Sequence, residues 1–463
     1  MTFRQRFIDA LWVLCHNLRF YQRFFAMKSR IGIRREDKNP WERRVPLIPS
    51  HVRELLKGGL LELWLQPSSI RIFPDEDYQR EGAKVEEDLS SCSLVFAVKE
   101  IPEEFFQPGK TYVFFSHTIK GQPYNMPILK KMMELECNLI DYERIVNKKG
   151  QRLLFFGTQA GQAGMIDSLW ALGQRLHYEK EDSPFFQLML AHQYSSLVEA
   201  KEHMQKVGWK IHNKGLDSSR VPLVCGFAGY GHVSLGAQQI FDLLPVEEIS
   251  PEELLDFYRS GNYTSNRVYK VVFREEHMVK PVSSSGSFEL HDYYDHPEKY
   301  RSIFHTYLPY LTILINCIYW TPRYPHFVTK HFLGKHWQEQ KNPHLKVIGD
   351  ISCDVEGAIE CTVRPTNPGS PVFVYDPIEN KAVDGIEGRG VVVMATDNLP
   401  AELPLESSIY FSDALAPFVP GMARADFSKS FENCGLPLPI QKAFILYRGR
   451  FTPDYEYMKK FVE

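Results

Sequence analysis

Two residues able to exchange protons close short apolar runs: Ser93 to Lys99 ends in Lys99, and Thr111 to Ser116 runs up to His117. Sites in open α/β sheets gather at the carboxyl ends of strands. A lysine partly withdrawn from water there has its pKa lowered toward neutrality, and a histidine starts near it. The pair suits general acid–base chemistry. Each alone reads as readily as a snorkelling surface lysine or a loop histidine; their shared placement favours chemistry. Arg34, Arg35, Arg43 and Arg44 crowd one stretch. Guanidinium forks bind carboxylates bidentately, so this cluster would suit a substrate with several carboxylates. The plainer reading is a charged loop.

A third feature is Gly226-Phe-Ala-Gly229-Tyr-Gly231-His-Val-Ser234-Leu-Gly236-Ala237. It follows a strand pattern and opens a helix pattern, the context in which glycines bring backbone N–H groups against a pyrophosphate. Ser234 stands where a third glycine is usual. An acid about 20 residues on would bind the ribose of NAD. Glu247 and Glu248 are near that distance but precede Ile249-Ser250. A strand ending at Ser250 would put serine at the ribose, which suits a 2′-phosphate, with Arg267, Lys270 and Arg274 as counter-charge; the alternative is a solvated charged face. Walker and GxSxG motifs are missing from the sequence, so ATP and hydrolase chemistry have no support. His291-Asp-Tyr-Tyr-Asp295-His296 and His326, His331, His336 lack zinc-site spacing, and no metal is expected.

The elements that must position these residues alternate. Helix patterns cover His51 to Gly58, Asn125 to Glu136, Met165 to His177, Ser195 to Val207 and Gly231 to Leu244. Strand patterns cover Leu60 to Gln66, Asn138 to Tyr142, Val221 to Gly226, Leu311 to Tyr319, Lys346 to Ile351 and Gly390 to Ala395. That alternation predicts an α/β protein with parallel sheets. Residues 258–300 are polar and read as an insertion or lid.

At 463 residues, two or three domains are expected. The 44% hydrophobic and 24% charged content excludes a disordered or collagenous chain. With 54 Lys+Arg against 57 Asp+Glu, nothing supports a nucleic-acid partner. The eight cysteines form no CxxC pair and several lie in apolar runs, which predicts reduced thiols and a cytoplasmic protein. Residues 1–27 are rich in arginine and poor in acids. They read as an extra helix, as sequence upstream of a start at Met27, or as a targeting or membrane-surface helix; the last would make the location mitochondrial. No integral membrane segment is expected.

Several longer stretches carry a resemblance. They are Ile33-Arg-Arg-Glu-Asp-Lys-Asn-Pro-Trp-Glu-Arg-Arg44-Val-Pro-Leu, Phe114-Phe-Ser-His117-Thr-Ile-Lys120, Leu139-Ile-Asp-Tyr-Glu143-Arg and Phe156-Gly-Thr-Gln-Ala-Gly-Gln-Ala-Gly164-Met. The glycine turn, Ile315-Asn316-Cys-Ile-Tyr319-Trp320, Asp350-Ile-Ser-Cys-Asp354 and Asp397-Asn398-Leu-Pro400 complete them. The chain resembles the lysine–ketoglutarate reductase domain of bifunctional aminoadipic semialdehyde synthases. More distantly it resembles the lysine-forming saccharopine dehydrogenases and the alanine dehydrogenase/transhydrogenase group. The resemblance implies two Rossmann-like domains with a cleft between them, one of 28–165 plus 396–463 and one of 166–395. It implies that lysine and 2-oxoglutarate condense to an imine, which a nicotinamide hydride reduces to saccharopine, or the reverse. Lys99 and His117 match the acid–base groups, and Arg44, Glu143 and Arg152 match substrate-cleft positions. Gly229, Gly231, Ser234, Asn316, Asp350 and Asp397 match the cofactor side. The implied cofactor is NADP, with NAD as the alternative. No saccharopine-oxidising half follows, so a separate enzyme is the expected partner. The rivals are another amino acid/oxo acid pair on the same scaffold, or a cofactor-binding regulator without catalysis.

Overall fold

A computed structural model describes residues 29–283 and 286–463, apart from the side chain of Ser218. The segment 1–27 and its three readings lie outside the described residues. The chain divides into two compact units, one running to Phe155 and resuming over Ser407–Glu463, the other Phe156–Glu406. The sequence placed these changes of unit near 165 and 396. The difference has a physical cause. Helix Gly157–Tyr178 packs with the second unit along its whole length, and a Cβ on Gly161, Gly164 or Gly173 would fall within 2.6 Å of Val233, Ile351 or Phe185.

The first unit is an eight-stranded sheet. Its order is Arg450–Phe451, Phe444–Tyr447, Asn138–Asp141, Thr111–Phe114, Leu94–Phe96, Ser29–Ile33, Leu61–Leu65, Lys84–Val85. The six strands from Asn138–Asp141 onward are mutually parallel, and the C-terminal hairpin closes one edge antiparallel. Strands 94–96, 111–114 and 138–141 are buried at every position, which is why they read as apolar runs rather than as alternation. Numbered along the chain, the parallel strands lie 3-2-1-4-5-6. The order reverses between Ser29–Ile33 and Leu94–Phe96, the place where an open α/β sheet leaves a crevice at its carboxyl edge.

The second unit has its own eight-stranded sheet, ordered Lys381–Asp384, Val372–Asp376, Val391–Met394, Val347–Asp350, Ile313–Asn316, Val224–Ala228, Val268–Phe273, Val246–Glu248. Strands 391–394 through 246–248 are parallel, and its two core clusters lie wholly inside the unit.

Two expectations are corrected here. The glycine run 157–164 is the first part of helix Gly157–Tyr178 rather than a lead-in to a helix starting at Met165. Glycine weakens a helix by about 1 kcal/mol each, but here the missing side chains let the helix touch helix His232–Phe241. Residues 258–300 are no mere insertion, because they contain strand Val268–Phe273, which lies within the sheet between Val224–Ala228 and the edge strand Val246–Glu248. Lys270 interrupts that apolar run, and its ammonium is held by Asp242 at 2.9 Å and Glu248 at 3.1 Å. The short strand before Ser250 therefore lies at the sheet edge, not beside Val224–Ala228, and Ser250 does not face the glycine turn.

Candidate functional site

In the first unit the chemistry-bearing residues collect at the carboxyl ends of four neighbouring parallel strands. Lys99 lies three residues past Leu94–Phe96, His117 three past Thr111–Phe114, and Glu143 two past Asn138–Asp141. Arg34 to Arg44 follow Ser29–Ile33. The reversal of strand order puts the Lys99 turn and the arginine segment side by side.

Lys99 is half-buried. Desolvation, then the positive charge of Arg44, lowers its pKa, against the opposing pull of Glu42 and Glu100. His117 is stacked on Phe115, and its Nδ1 meets Glu100 Oε1 at 2.7 Å. Its φ of 48° is left-handed, a conformation that costs a side-chain-bearing residue about 1 kcal/mol. Asn125 Nδ2 donates to the carbonyls of Ser116 and His117 and holds that turn. Burial would raise the Glu100 carboxyl, but hydrogen bonds from His117 and Lys38 outweigh it and keep Glu100 well below the usual range. Glu100 is thus a fixed anion behind the imidazole.

Arg44 and Glu42 are both buried and meet through two parallel bonds, Nε to Oε1 at 2.7 Å and Nη2 to Oε2 at 2.6 Å. The other three arginines go elsewhere: Arg34 to Asp37, Arg35 to Glu87, and Arg43 to the Ile70 carbonyl. All four arginines thus have protein partners, and Arg44 is the one whose charge acts on Lys99. Arg152 Nη1 lies 3.4 Å from Glu143 Oε1. Beneath them Asp141 accepts from the Ser116 and Glu143 N–H groups, and burial followed by the charge of Glu143 pushes it up to about 6.

In the second unit, the reversal of strand order falls between Val224–Ala228 and Ile313–Asn316. The glycine turn fills it. Gly229 has φ 99°, and a Cβ there would press on Ile318 at 3.1 Å; Gly231 faces open space. Ser234 is buried on helix His232–Phe241, its Oγ accepting from Gln238. Asn316 and Asp350 are register partners at the ends of adjacent strands. Asn316 Nδ2 donates to Asp350 Oδ1 at 2.8 Å, and burial raises Asp350 to about 6. Asn316 Oδ1 is buried without a partner. Asp397 is exposed beyond strand Val391–Met394. Phe273 pairs with Ala228 in register, so the residues beside the glycine turn are Arg274 and Glu275. The Arg274 guanidinium lies over the Tyr230 ring at 4.6 Å. Glu275 Oε1 accepts from Tyr294 at 2.7 Å, and its Oε2 is buried without a partner. Of the three cations named from sequence, Lys270 and Arg267 are committed to carboxylates, leaving Arg274 at this position. A cavity of about 460 Å³ adjoins the turn, walled by Tyr230, Glu275, Tyr294, Ile318 and Trp320. A left-handed glycine, an orphaned buried Asn316 oxygen and an aromatic cavity fit a dinucleotide. Among the described residues, no group of three or more His, Cys, Asp or Glu is placed to hold a metal.

Residues 32–163 match the family model of the alanine dehydrogenase/PNT N-terminal domain. An L-alanine dehydrogenase structure superposes with TM-score 0.59 at 18% identity, over 94% of this chain and all of that one. A transhydrogenase from Sinorhizobium meliloti gives 0.55 at 14%, over 92% of this chain and all of that one; these likenesses show the fold. In sequence, the chain is a homologue of the aminoadipic semialdehyde synthases and of saccharopine dehydrogenases. It is 39% identical over 447 residues to alpha-aminoadipic semialdehyde synthase of Arabidopsis thaliana, covering 93% of this chain and 41% of that protein. It is 37% identical over 450 residues to the mitochondrial alpha-aminoadipic semialdehyde synthase of Mus musculus, covering 94% and 48%. A saccharopine dehydrogenase (NAD(+), L-lysine-forming) of Yarrowia lipolytica is 27% identical over 410 residues, covering 84% and 90%. The chain spans less than half the length of the synthases it matches.

Sequence reasoning passed over the acids. Glu36, Glu42 and Glu100 hold the backbone of Lys99, the Arg44 guanidinium and the His117 ring. The signal for Glu36 and Glu42 was present in Arg-Glu-Asp-Lys-Asn-Pro-Trp-Glu-Arg-Arg, a stretch read only for its arginines, and Glu100 directly follows Lys99.

Proposed function

We propose that this chain is an oxidoreductase that condenses the ε-amine of L-lysine with 2-oxoglutarate and reduces the resulting imine to saccharopine, or runs the reverse, with NADPH. The observation that carries the reading is a lysine of lowered pKa and a carboxylate-held histidine on neighbouring strand ends beside a buried Arg44, in a chain similar to aminoadipic semialdehyde synthases and L-lysine-forming saccharopine dehydrogenases. Arg44, oriented by Glu42, binds a substrate carboxylate; Arg152 and Glu143 bracket the far side. Lys99, its pKa lowered by burial, takes the proton that the attacking amine must lose. His117, with Nδ1 engaged by Glu100, exchanges a proton through Nε2 as water leaves the carbinolamine. The dinucleotide, when bound, supplies the hydride. Gly229 and Gly231 admit its pyrophosphate to the start of helix His232–Phe241. Ser234 would back the start of that helix, Asn316 and Asp350 would hold the nicotinamide side, and Asp397 would stand at the outer rim. Arg274 supports NADP over NAD, because a guanidinium at the strand end complements a 2′-phosphate. Glu275 is the acid that would favour NAD if it, and not Arg274, meets the ribose.

The described thiols are unpaired and mostly buried, which supports a reducing compartment. We place the protein in the cytoplasm, with the mitochondrion as the alternative that its relative's name suggests. An activity that oxidises saccharopine, on the same polypeptide or a separate one, would take the product onward. The deciding test follows NADPH oxidation by absorbance with lysine and 2-oxoglutarate together, each omitted in turn, and NADH run beside. Turnover requiring both substrates is expected. Turnover with a different amine or oxo acid would replace the substrate pair, and dinucleotide binding without turnover would leave a regulator.

A further inference from the structure

Strands Ser29–Ile33 and Leu94–Phe96 end level, but only the second is followed by chain that stays in line with the sheet. Ile33 pairs with Phe96, and the Arg34 N–H still reaches the Phe96 carbonyl at 2.8 Å. Past that point the chain from Ser29–Ile33 turns away, while the chain from Leu94–Phe96 continues through Ala97, Val98 and Lys99. On its other side this continuation keeps a partner: the Ala97 N–H donates to the Val113 carbonyl and the Phe115 N–H to the Val98 carbonyl. On the vacated side the buried carboxylate of Glu36 steps in. Its Oε1 accepts the Val98 N–H at 2.6 Å, and its Oε2 accepts the Lys99 N–H at 3.0 Å. One side chain thus takes both bonds at the tip of the strand, at the residue where the lysine leaves the sheet.

We infer that Glu36 is the positioning residue of Lys99, its carboxylate replacing a missing stretch of strand and so fixing where the Lys99 ammonium stands relative to Arg44. The inference rests on the acid–base reading of Lys99 given above. A buried carboxylate is costly unless its oxygens are satisfied. Here both are used on consecutive N–H groups, and neither contacts the Lys99 side chain, so the effect passes through the backbone. The same segment carries Lys38 to Glu100 and Glu42 to Arg44. The loop that holds Lys99 in place therefore also supplies the groups that set its charge and that of the imidazole support.

The test uses the full chain and the variants Glu36→Gln and Glu36→Asp. Gln offers one acceptor and turns an N–H₂ toward a backbone donor; Asp keeps the charge but is one methylene shorter. For Glu36→Gln, kcat should fall about 10- to 100-fold, the size of effect a roughly 1 Å displacement of a reacting group produces, while the Kd for NADPH and the melting temperature change little. The pH at which Lys99 becomes reactive toward reductive methylation, read by mass spectrometry, should rise toward that of the surface lysines. Glu36→Asp should lie between. Unchanged kcat and unchanged Lys99 labelling would overturn the inference. So would a joint loss of melting temperature, NADPH binding and kcat with Lys99 labelling unaltered, since that is a fold defect alone. If the wild-type protein fails to turn over lysine and 2-oxoglutarate, the proposed reaction falls, yet the labelling shift still reports on Lys99 placement.

Discussion

At the scale of single residues, the site depends on acids that fix cations. Glu100 stays ionised because His117 and Lys38 both bond to it, so His117 keeps one orientation across the neutral range. Removing the proton carriers should be costly without touching the cofactor. Lys99→Met and His117→Ala should each lower kcat by about 10²- to 10⁴-fold with NADPH affinity unchanged, as measured by steady-state rates and fluorescence titration. The cofactor preference should lie in Arg274. A charge-assisted bond to a phosphate contributes about 1.5–3 kcal/mol, so Arg274→Ser should raise the KM for NADPH roughly 10- to 100-fold and leave NADH almost unaffected. Equal effects on both dinucleotides would move the 2′-phosphate away from Arg274. Lys99 and His117 stood out as candidates in the sequence because each ends or follows an apolar run, whereas Arg44 was picked from an arginine-rich stretch by resemblance. Arg274 was one of three cations that the sequence could not separate. The choice depended on which strand lies beside the glycine turn, and that is a matter of sheet order.

At the scale of elements, sheet order explains what was and was not legible. Fully buried parallel strands such as Val391–Met394 and Ile313–Asn316 are unbroken apolar runs, and their positions were readable. Val268–Phe273 was hidden by Lys270, whose charge is neutralised by residues from two other elements. The run Gly157–Gly164 was hidden because contact with a neighbouring helix outweighs intrinsic helix preference. That contact is testable. A Cβ on Gly161 would lie 1.9 Å from the Val233 carbonyl oxygen. Gly161→Ala should therefore destabilise the second unit by about 1–3 kcal/mol despite the gain in helix propensity, read by denaturant unfolding. The same helix carries Asp167, which meets Glu402 and, through it, His192. Burial holds Asp167 well above the usual range and Glu402 up to about 7, so the two share a proton that the unfolded chain binds less tightly. This stabilisation is complete below about pH 4.3, where an unfolded glutamate is already protonated. It is lost as pH rises through about 7. Glu402→Gln, which is neutral at every pH, should flatten the decline in melting temperature between those limits.

At the scale of the whole molecule, two sheets with separate cores share one chain, and the first unit is interrupted by the second. Residues 156–406 expressed alone should fold cooperatively and bind NADPH, since both of that unit's core clusters lie inside it. Residues 29–155 alone should not fold. They would lack strand Phe444–Tyr447 against Asn138–Asp141, and Phe411, whose ring packs against Phe115 and Tyr142. Circular dichroism and NADPH fluorescence on the two fragments would check both expectations. The α/β class was plain from the alternation of patterns, whereas the contribution of the C-terminal segment to the first sheet depends on pairing over roughly 300 residues, which local pattern does not encode.

That interrupted order has a consequence for birth on the ribosome. Strand Asn138–Asp141 emerges with one edge bare, and the segment that covers it, Phe444–Tyr447, is made roughly 300 residues later. At about 5–20 residues per second, the nascent first unit waits about 15–60 seconds with an open, apolar margin. The second unit can finish folding in the meantime. The time for which that margin stays open on the ribosome is thus set by where strand Phe444–Tyr447 is encoded.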